Sequence, residues 1–320
     1  MKYFLGIDGG GTKTAYLLVD ENGTCLAEEK TEGCSYKEIG IDRTAQLLKS
    51  GVSQCLNKAG LNEQNLSAIV VGLPCFGELK EEDGLVSKAI RETFYCPVHI
   101  TNDVEVGWAG SLGMRPGINI VAGTGSIAYG KNKAGESARS GGWSTFFGDE
   151  GSCYWLGRRT MELYSKQADG REEKGPLYEL IREEFSLEEE MDFIGLMDRE
   201  YIGERSRVAS MQRLLLKAAK RHDPSAQRLY QEAARELGMM AGSILRQLWK
   251  DEKVPVSYSG GLFYAEEFVL PYLEKSVQDQ NGFLVKPLFS PVQGAALMAI
   301  ESVQGAGIDS VIENWKKEKR

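Results

Sequence analysis

The chain is 320 residues long, 42% hydrophobic and 26% charged, with 46 acidic against 38 basic side chains and a net charge of −8. That is material for about two domains with ample core. The acidic balance argues against nucleic acid or an anionic membrane as a general partner, so any phosphate site must be local. No apolar stretch approaches the roughly 20 residues needed to cross a bilayer, and Met1-Lys2 leads straight into an apolar run with no leader pattern, which predicts a cytoplasmic protein. The six cysteines, Cys25, Cys34, Cys55, Cys75, Cys96 and Cys153, form no C-x-x-C pair and read as reduced, mostly buried side chains.

The first element is an apolar run, Tyr3-Phe4-Leu5-Gly6-Ile7, ending in Asp8, the glycines Gly9, Gly10 and Gly11, then Thr12, Lys13 and Thr14 before a second apolar run. This spells strand, turn, strand. Consecutive glycines let bare N–H groups approach an anion, and Thr12 adds a hydroxyl donor. Asp8 cannot bind phosphate, but it can hold Mg²⁺ or the water around it, because a hard cation prefers carboxylate and water oxygens. Alone, the same pattern also fits an ordinary glycine-rich hairpin with a surface acid, and Lys13 fits either phosphate neutralisation or a solvent-facing turn.

Gly23 to Glu29 completes a three-stranded meander. Apolar residues at helical spacing from Ala45 to Ala59 predict a helix over 41–59. A buried strand over 67–73 ends at Pro74, a helix follows over 83–94, and a strand over 98–101 runs into Asn102-Asp103, either of which suits a helix N-cap. At Ile118 the opening pattern recurs: apolar run, Gly123-Thr124-Gly125-Ser126, then another strand. The repetition predicts a duplicated domain with two phosphate loops facing one cleft, and the strand–helix alternation predicts α/β lobes with mixed sheets covered by helices.

Gly141-Gly142-Trp143 and Gly148-Asp149-Glu150-Gly151-Ser152 lead into a helix at Tyr154. A helical insertion follows, with one long amphipathic helix over 225–249. The segments 168–174 and 182–190 read as solvated or flexible connection. A strand over 254–258 runs into Ser259-Gly260-Gly261, where backbone must approach something flat or anionic, and a strand near 283–287 and a helix over 291–300 close the pattern.

The first loop from Asp8 to Thr14, the acid Asp103, the second loop from Gly123 to Ser126, the turn Ser259-Gly260-Gly261 and the closing helix after Pro291 together resemble the sugar-kinase branch of the actin, Hsp70 and hexokinase superfamily. The Gly141-Gly142-Trp143 and Gly148-to-Ser152 blocks are similar to those of the N-acetylglucosamine kinase-like members of the BadF/BadG/BcrA/BcrD ATPase family. The resemblance implies duplicated ribonuclease H-like lobes over 1–115 and 116–297, with a C-terminal helix over about 298–320 packing back on the first. It implies transfer of a phosphoryl group from ATP, with Mg²⁺, to a hydroxyl of an amino sugar, N-acetylglucosamine first and N-acetylmuramic acid, glucosamine and glucose behind it.

In that reading Asp103 is the catalytic base and also touches the sugar, an assignment that competes with a helix N-cap. Gly9, Gly10, Gly11, Thr12 and Lys13, then Gly123, Thr124, Gly125 and Ser126, and finally Gly260 and Gly261, bind the nucleotide; Asp8 holds the metal. Ser35, Thr124, Asp149 and Glu150 join Asp103 at the sugar, Glu150 orienting Asp149 or capping the next helix, while Trp143 reads as packing. Ser35 and Ile127 stand where the animal enzyme has asparagines, which predicts fewer amide contacts to the 2-substituent. The partners implied are ATP and a small sugar, with a homodimer left open. Two rivals share the fold: ATPases that activate 2-hydroxyacyl-CoA dehydratases, which need a cysteine-held cluster, and non-catalytic sugar-sensing regulators.

Overall fold

The computed structural model describes residues 1–305 and 307–318. Two compact units emerge, Met1–Arg115 with Lys286–Arg320, and Pro116–Val285. The second crossing therefore falls between Val285 and Lys286, earlier than the boundary at 297 read from the sequence. No helix among the described residues is long and apolar enough to cross a membrane.

The first unit opens with the meander β1 (Tyr3–Gly9), β2 (Lys13–Asp20) and β3 (Cys25–Glu32). Asp20 closes the β2–β3 turn by accepting from the N–H groups of Asn22 (2.8 Å) and Thr24 (2.9 Å). Helices α1 (Tyr36–Ile39) and α2 (Ile41–Ala59) follow, the latter with the predicted bounds. It buries Ala45, Leu48, Val52, Cys55 and Leu56 along one face, and Gly60 ends it in the left-handed conformation. Then come β4 (Leu66–Leu73), α3 (Lys80–Thr93), β5 (Val98–Asn102) and α4 (Asp103–Leu112). The sheet order is β3-β2-β1-β4-β5, with β1, β4 and β5 parallel.

The second unit repeats the plan. A meander of β6 (Gly117–Ala122), β7 (Ser126–Lys131) and β8 (Ser137–Gly141) leads to the helices α5 (Cys153–Ala168), α6 (Pro176–Phe185), α7 (Asp192–Glu200), α8 (Arg205–Ser210), α9 (Gln212–Lys220) and α10 (Pro224–Leu248). The chain continues through β9 (Val254–Ser259), α11 (Glu266–Gln278) and β10 (Gly282–Leu284), giving the sheet order β10-β9-β6-β7-β8. Two five-stranded mixed sheets, each a meander extended by two parallel strands, bear out the predicted α/β duplication.

The chain then returns to the first unit as α12 (Pro291–Gln304) and α13 (Ile308–Glu318). Of these, α12 covers the expected helix over 291–300, and the expected C-terminal helix over about 298–320 is divided between α12 and α13; residues 306, 319 and 320 of that expectation lie outside the described residues. Helix α12 lies tight on β1 and α4. A Cβ on Gly6 would strike the Ala296 amide, and one on Gly294 would strike the Val106 carbonyl, so glycine is what lets the backbones meet.

Segment 182–190 is more ordered than its charge suggests. It begins in the last turn of α6, where Arg182 donates to the Leu187 (3.1 Å) and Glu188 (2.8 Å) carbonyls, and Lys174 pairs with Glu190 at 2.8 Å.

Candidate active site

In the first unit the parallel strands deliver their carboxyl ends to one edge of the sheet, where ligands of open α/β sheets bind. Asp8 of β1 stands in register with Gly72 of β4, and Gly72 with Thr101 of β5. Gly72 lets the start of α4 close in: a Cβ there would meet Val106 at 2.5 Å and the Asp103 Cα at 3.3 Å. Asp8 and Asp103 therefore flank one glycine.

The N-cap alternative for Asp103 resolves in favour of its neighbour. Asn102 caps α4 by accepting from the Val104 N–H at 3.0 Å, and its Nδ2 donates to the Phe76 carbonyl at 2.6 Å. Asp103 is left as the first helical residue. Burial pushes its carboxyl up to about 6, against the pull of the N–H groups of Val104 and Asp103 itself; the Glu78 carboxylate adds a small further rise. Asp8 is pushed up to about 7, by burial first and by the Asp103 carboxylate second, with Lys13 pulling it back. An acid whose charge is that disfavoured suits a cation. The two carboxylates offer few oxygens, and among the described residues no three His, Cys, Asp or Glu gather to hold a metal. A cation that keeps several waters and shares phosphate oxygens fits such a sparse donor set, and that describes Mg²⁺.

The first turn closes with the Gly10 N–H donating to the Lys13 carbonyl (3.0 Å) and the Cys34 N–H donating to the Gly10 carbonyl (3.0 Å). Gly11, Thr12 and Lys13 are exposed. Gly33 passes so close to the Gly11 carbonyl that no side chain fits. Cys34 is sealed beneath the turn, its thiol pushed up to about 11 by burial, with Asp8 and Asp103 among the charges it feels. Ser35, expected at the sugar, is 4% exposed, and its carbonyl accepts from the Glu38 and Ile39 N–H groups at the start of α1.

The second turn is built differently. The Gly123 N–H donates to the Gly125 carbonyl at 2.9 Å, leaving Thr124 exposed at the tip. The Gly123 and Thr124 carbonyls accept from the Cys153 (2.9 Å) and Tyr154 (3.3 Å) N–H groups, so the turn satisfies the open amides of α5. Ser126 points inward: its hydroxyl donates to the Glu150 carbonyl at 2.7 Å, and its N–H donates to Asp149 Oδ1 at 3.1 Å. Asp149 adopts a left-handed φ of 57°, and its Oδ2 receives Arg205 Nη2 at 2.7 Å. The Gly148-to-Ser152 block thus ties the turn to α5, with Ser152 capping that helix through the Trp155 N–H at 3.1 Å.

Gly260, with φ 108°, crosses the end of β6; a Cβ there would run into the Ala122 carbonyl and the Gly123 amide, while one on Gly261 would meet nothing. The close approach at Gly260 is thus to protein backbone. Trp143, read as packing, is 72% exposed, and Phe146 and Phe147 beside it are exposed too. Sequence reasoning missed Arg205, whose partner lies 56 residues away in the chain. It also missed the thiol under the first turn, for which Gly33-Cys34 next to a repeated glycine motif was the available signal.

A duplicated sheet carrying a glycine turn in the first hairpin of each meander, with paired acids beside the first, defines an actin-like ATPase of the sugar-kinase type. The chain belongs to the BadF/BadG/BcrA/BcrD ATPase family, whose model matches residues 5–299. It is 32% identical over 264 residues to the N-acetylmuramic acid/N-acetylglucosamine kinase of Clostridium acetobutylicum, covering 82% of this chain and 86% of that one. It is 29% identical to the N-acetyl-D-glucosamine kinase of Dictyostelium discoideum, covering 93% and 98%. The crystal structure of a protein from Chromobacterium violaceum, provisionally named an N-acetylglucosamine kinase, matches with a TM-score of 0.73 and 28% identity, covering 94% of this chain and 99% of that one. The class expected from the sequence, an ATP-dependent sugar kinase of this family, agrees with these comparisons.

Proposed function

We propose that the protein phosphorylates a hydroxyl of an amino sugar at the expense of ATP, with N-acetylglucosamine and N-acetylmuramic acid ahead of glucosamine and glucose. The observation that carries the reading is the Asp8–Asp103 pair at the carboxyl edge of the first sheet, beside an exposed glycine turn. Phosphoryl transfer asks a protein chiefly for positioning and charge neutralisation, with an acid to take the hydroxyl proton. Asp103 takes that proton: it is free of the capping duty held by Asn102 and sits at a helix start that favours its charged form. Asp8 holds Mg²⁺, directly or through its waters; when bound, the cation neutralises charge on the phosphates. Gly9 to Lys13 and Gly123 to Gly125 form the two phosphate turns, closed by the Gly10 and Gly123 N–H groups, with Thr12 and Thr124 adding hydroxyls. Ser126 braces the second turn, Gly260 and Gly261 carry the chain past the adenosine side, and Ser35, Thr124, Asp149 and Glu150 shape the sugar side. The same reading carries a cytoplasmic location, with a homodimer as its open quaternary state.

The test is ATP consumption across the four sugars. The expected result is sugar-dependent turnover, highest for the N-acetylated pair. Equal ATP hydrolysis with and without every sugar would sink the reading.

A further inference from the structure

The second turn carries a cation to which the expected kinase site gives no part. Arg205 Nη2 lies 2.7 Å from Asp149 Oδ2, and a Cβ on Gly125 would meet the same nitrogen at 2.6 Å, so the guanidinium lies against the glycine face of the turn. The Arg205 side chain is 52% exposed and that of Asp149 only 5%. The charged group that meets solvent here is the cation.

Helix stability does not explain it. Arg205 is the first residue of α8, at the end of a helix dipole that disfavours cations, and the first turn of α8 holds no acid. Nor is this a loose surface ion pair. Asp149 is buried, and its other oxygen is fixed by the Ser126 N–H at 3.1 Å, so the carboxylate holds the guanidinium in one place. A guanidinium has five N–H donors in a planar fork, and Asp149 occupies one corner. A fork anchored by a buried acid, half open to solvent and laid on a bare glycine turn, is organised to receive an oxyanion on two donors.

We infer that Arg205 is an oxyanion-recognising residue of the second turn, a specificity determinant with Asp149 as its anchor. The inference rests on the phosphoryl-transfer reading for its two ligand sources: the terminal phosphate of ATP, or the carboxylate of an acidic sugar such as the lactyl ether of N-acetylmuramic acid. An ion pair that only braces Asp149 would need a cation but no fork, and lysine would serve as well.

Calorimetric binding of a non-hydrolysable ATP analogue, N-acetylmuramic acid and N-acetylglucosamine to the full chain separates these, since it needs no turnover. Arg205→Ala is expected to weaken one anionic ligand by about 10–100-fold, as loss of charge-assisted hydrogen bonds does, with N-acetylglucosamine within threefold. Loss confined to N-acetylmuramic acid identifies the sugar carboxylate; loss confined to the nucleotide identifies the phosphate. Arg205→Lys is expected to leave most of that loss in place. All three affinities within threefold in Arg205→Ala, or full restoration by lysine, would overturn the inference. Absence of turnover in the wild-type protein would count only against the kinase reading.

Discussion

The first glycine turn has its carboxylate built into the strand that leads to it, whereas the second draws one from a loop 23 residues further on. Asp8 stands at the sheet edge in surroundings that oppose its charge. Asp149 is buried, with one oxygen on a backbone amide and the other on a guanidinium. The two glycine hairpins thus hold an acid whose charge is disfavoured in one copy and an acid committed to bracing in the other. The two turns close differently, Gly10 N–H on the Lys13 carbonyl and Gly123 N–H on the Gly125 carbonyl, and the residues around each turn set its chemistry.

The sharpest way to break this comparison is at the first unit's sheet edge. Asp103→Asn is expected to lower kcat by about 10²–10⁴-fold, the range for a general base, with KM for sugar and ATP within about threefold. A drop of under tenfold would return Asp103 to a structural role.

Next in size is the Asp8 effect. Asp8→Asn should raise the Mg²⁺ concentration for half-maximal activity by about 10–100-fold, while Asp149→Asn should leave that concentration where it is. Stability moves the opposite way. A carboxyl whose pKa is higher in the folded protein than in the unfolded chain binds its proton more tightly when folded. The ligand-free protein should therefore gain stability as pH falls through about 7 toward the ordinary value of 3.8. Asp8→Asn should flatten that rise and, at pH 8, stabilise the ligand-free protein by on the order of 1 kcal/mol, read by thermal unfolding with and without Mg²⁺. A destabilised Asp8→Asn protein at pH 8 would contradict the assignment.

The smallest contrast tests the backbone crossing behind the second turn. Gly260→Ala forces a side chain into the Ala122 carbonyl at positive φ and should cost about 1–3 kcal/mol. Gly261→Ala points into open space and should stay within roughly 0.5 kcal/mol. Equal costs in denaturant unfolding would show that the crossing is not what requires glycine.

The elements that could be read in advance were those whose pattern is local. Helix 41–59 announces itself by a single apolar stripe, and both glycine turns by apolar runs on either side. Strand β8 was not foreseen because Ser137-Ala138-Arg139-Ser140-Gly141 has no apolar run; it pairs with β7 at a sheet edge. The order in 182–190 was hidden because it comes from arginine and lysine side chains bonding to carbonyls within the segment and to the Glu190 carboxylate, which composition alone reads as solvation. At the site, Asp8 and Asp103 were legible as acids at strand ends. The sharing of duties between Asn102 and Asp103, and the engagement of Asp149 by Arg205, depend on contacts that no local spacing encodes.

The return of the chain as α12 and α13 has a consequence for synthesis. The second unit is continuous from Pro116 to Val285, so all its strands have emerged from the ribosome while the first sheet still lacks the helix that lies against Gly6. Its meander waits longer still for Trp315, whose indole N–H donates to the Gly23 carbonyl at 2.7 Å. The half of the protein translated first is thus the half completed last, and Asp8 and Asp103 share a finished domain only when the C-terminal helices have docked.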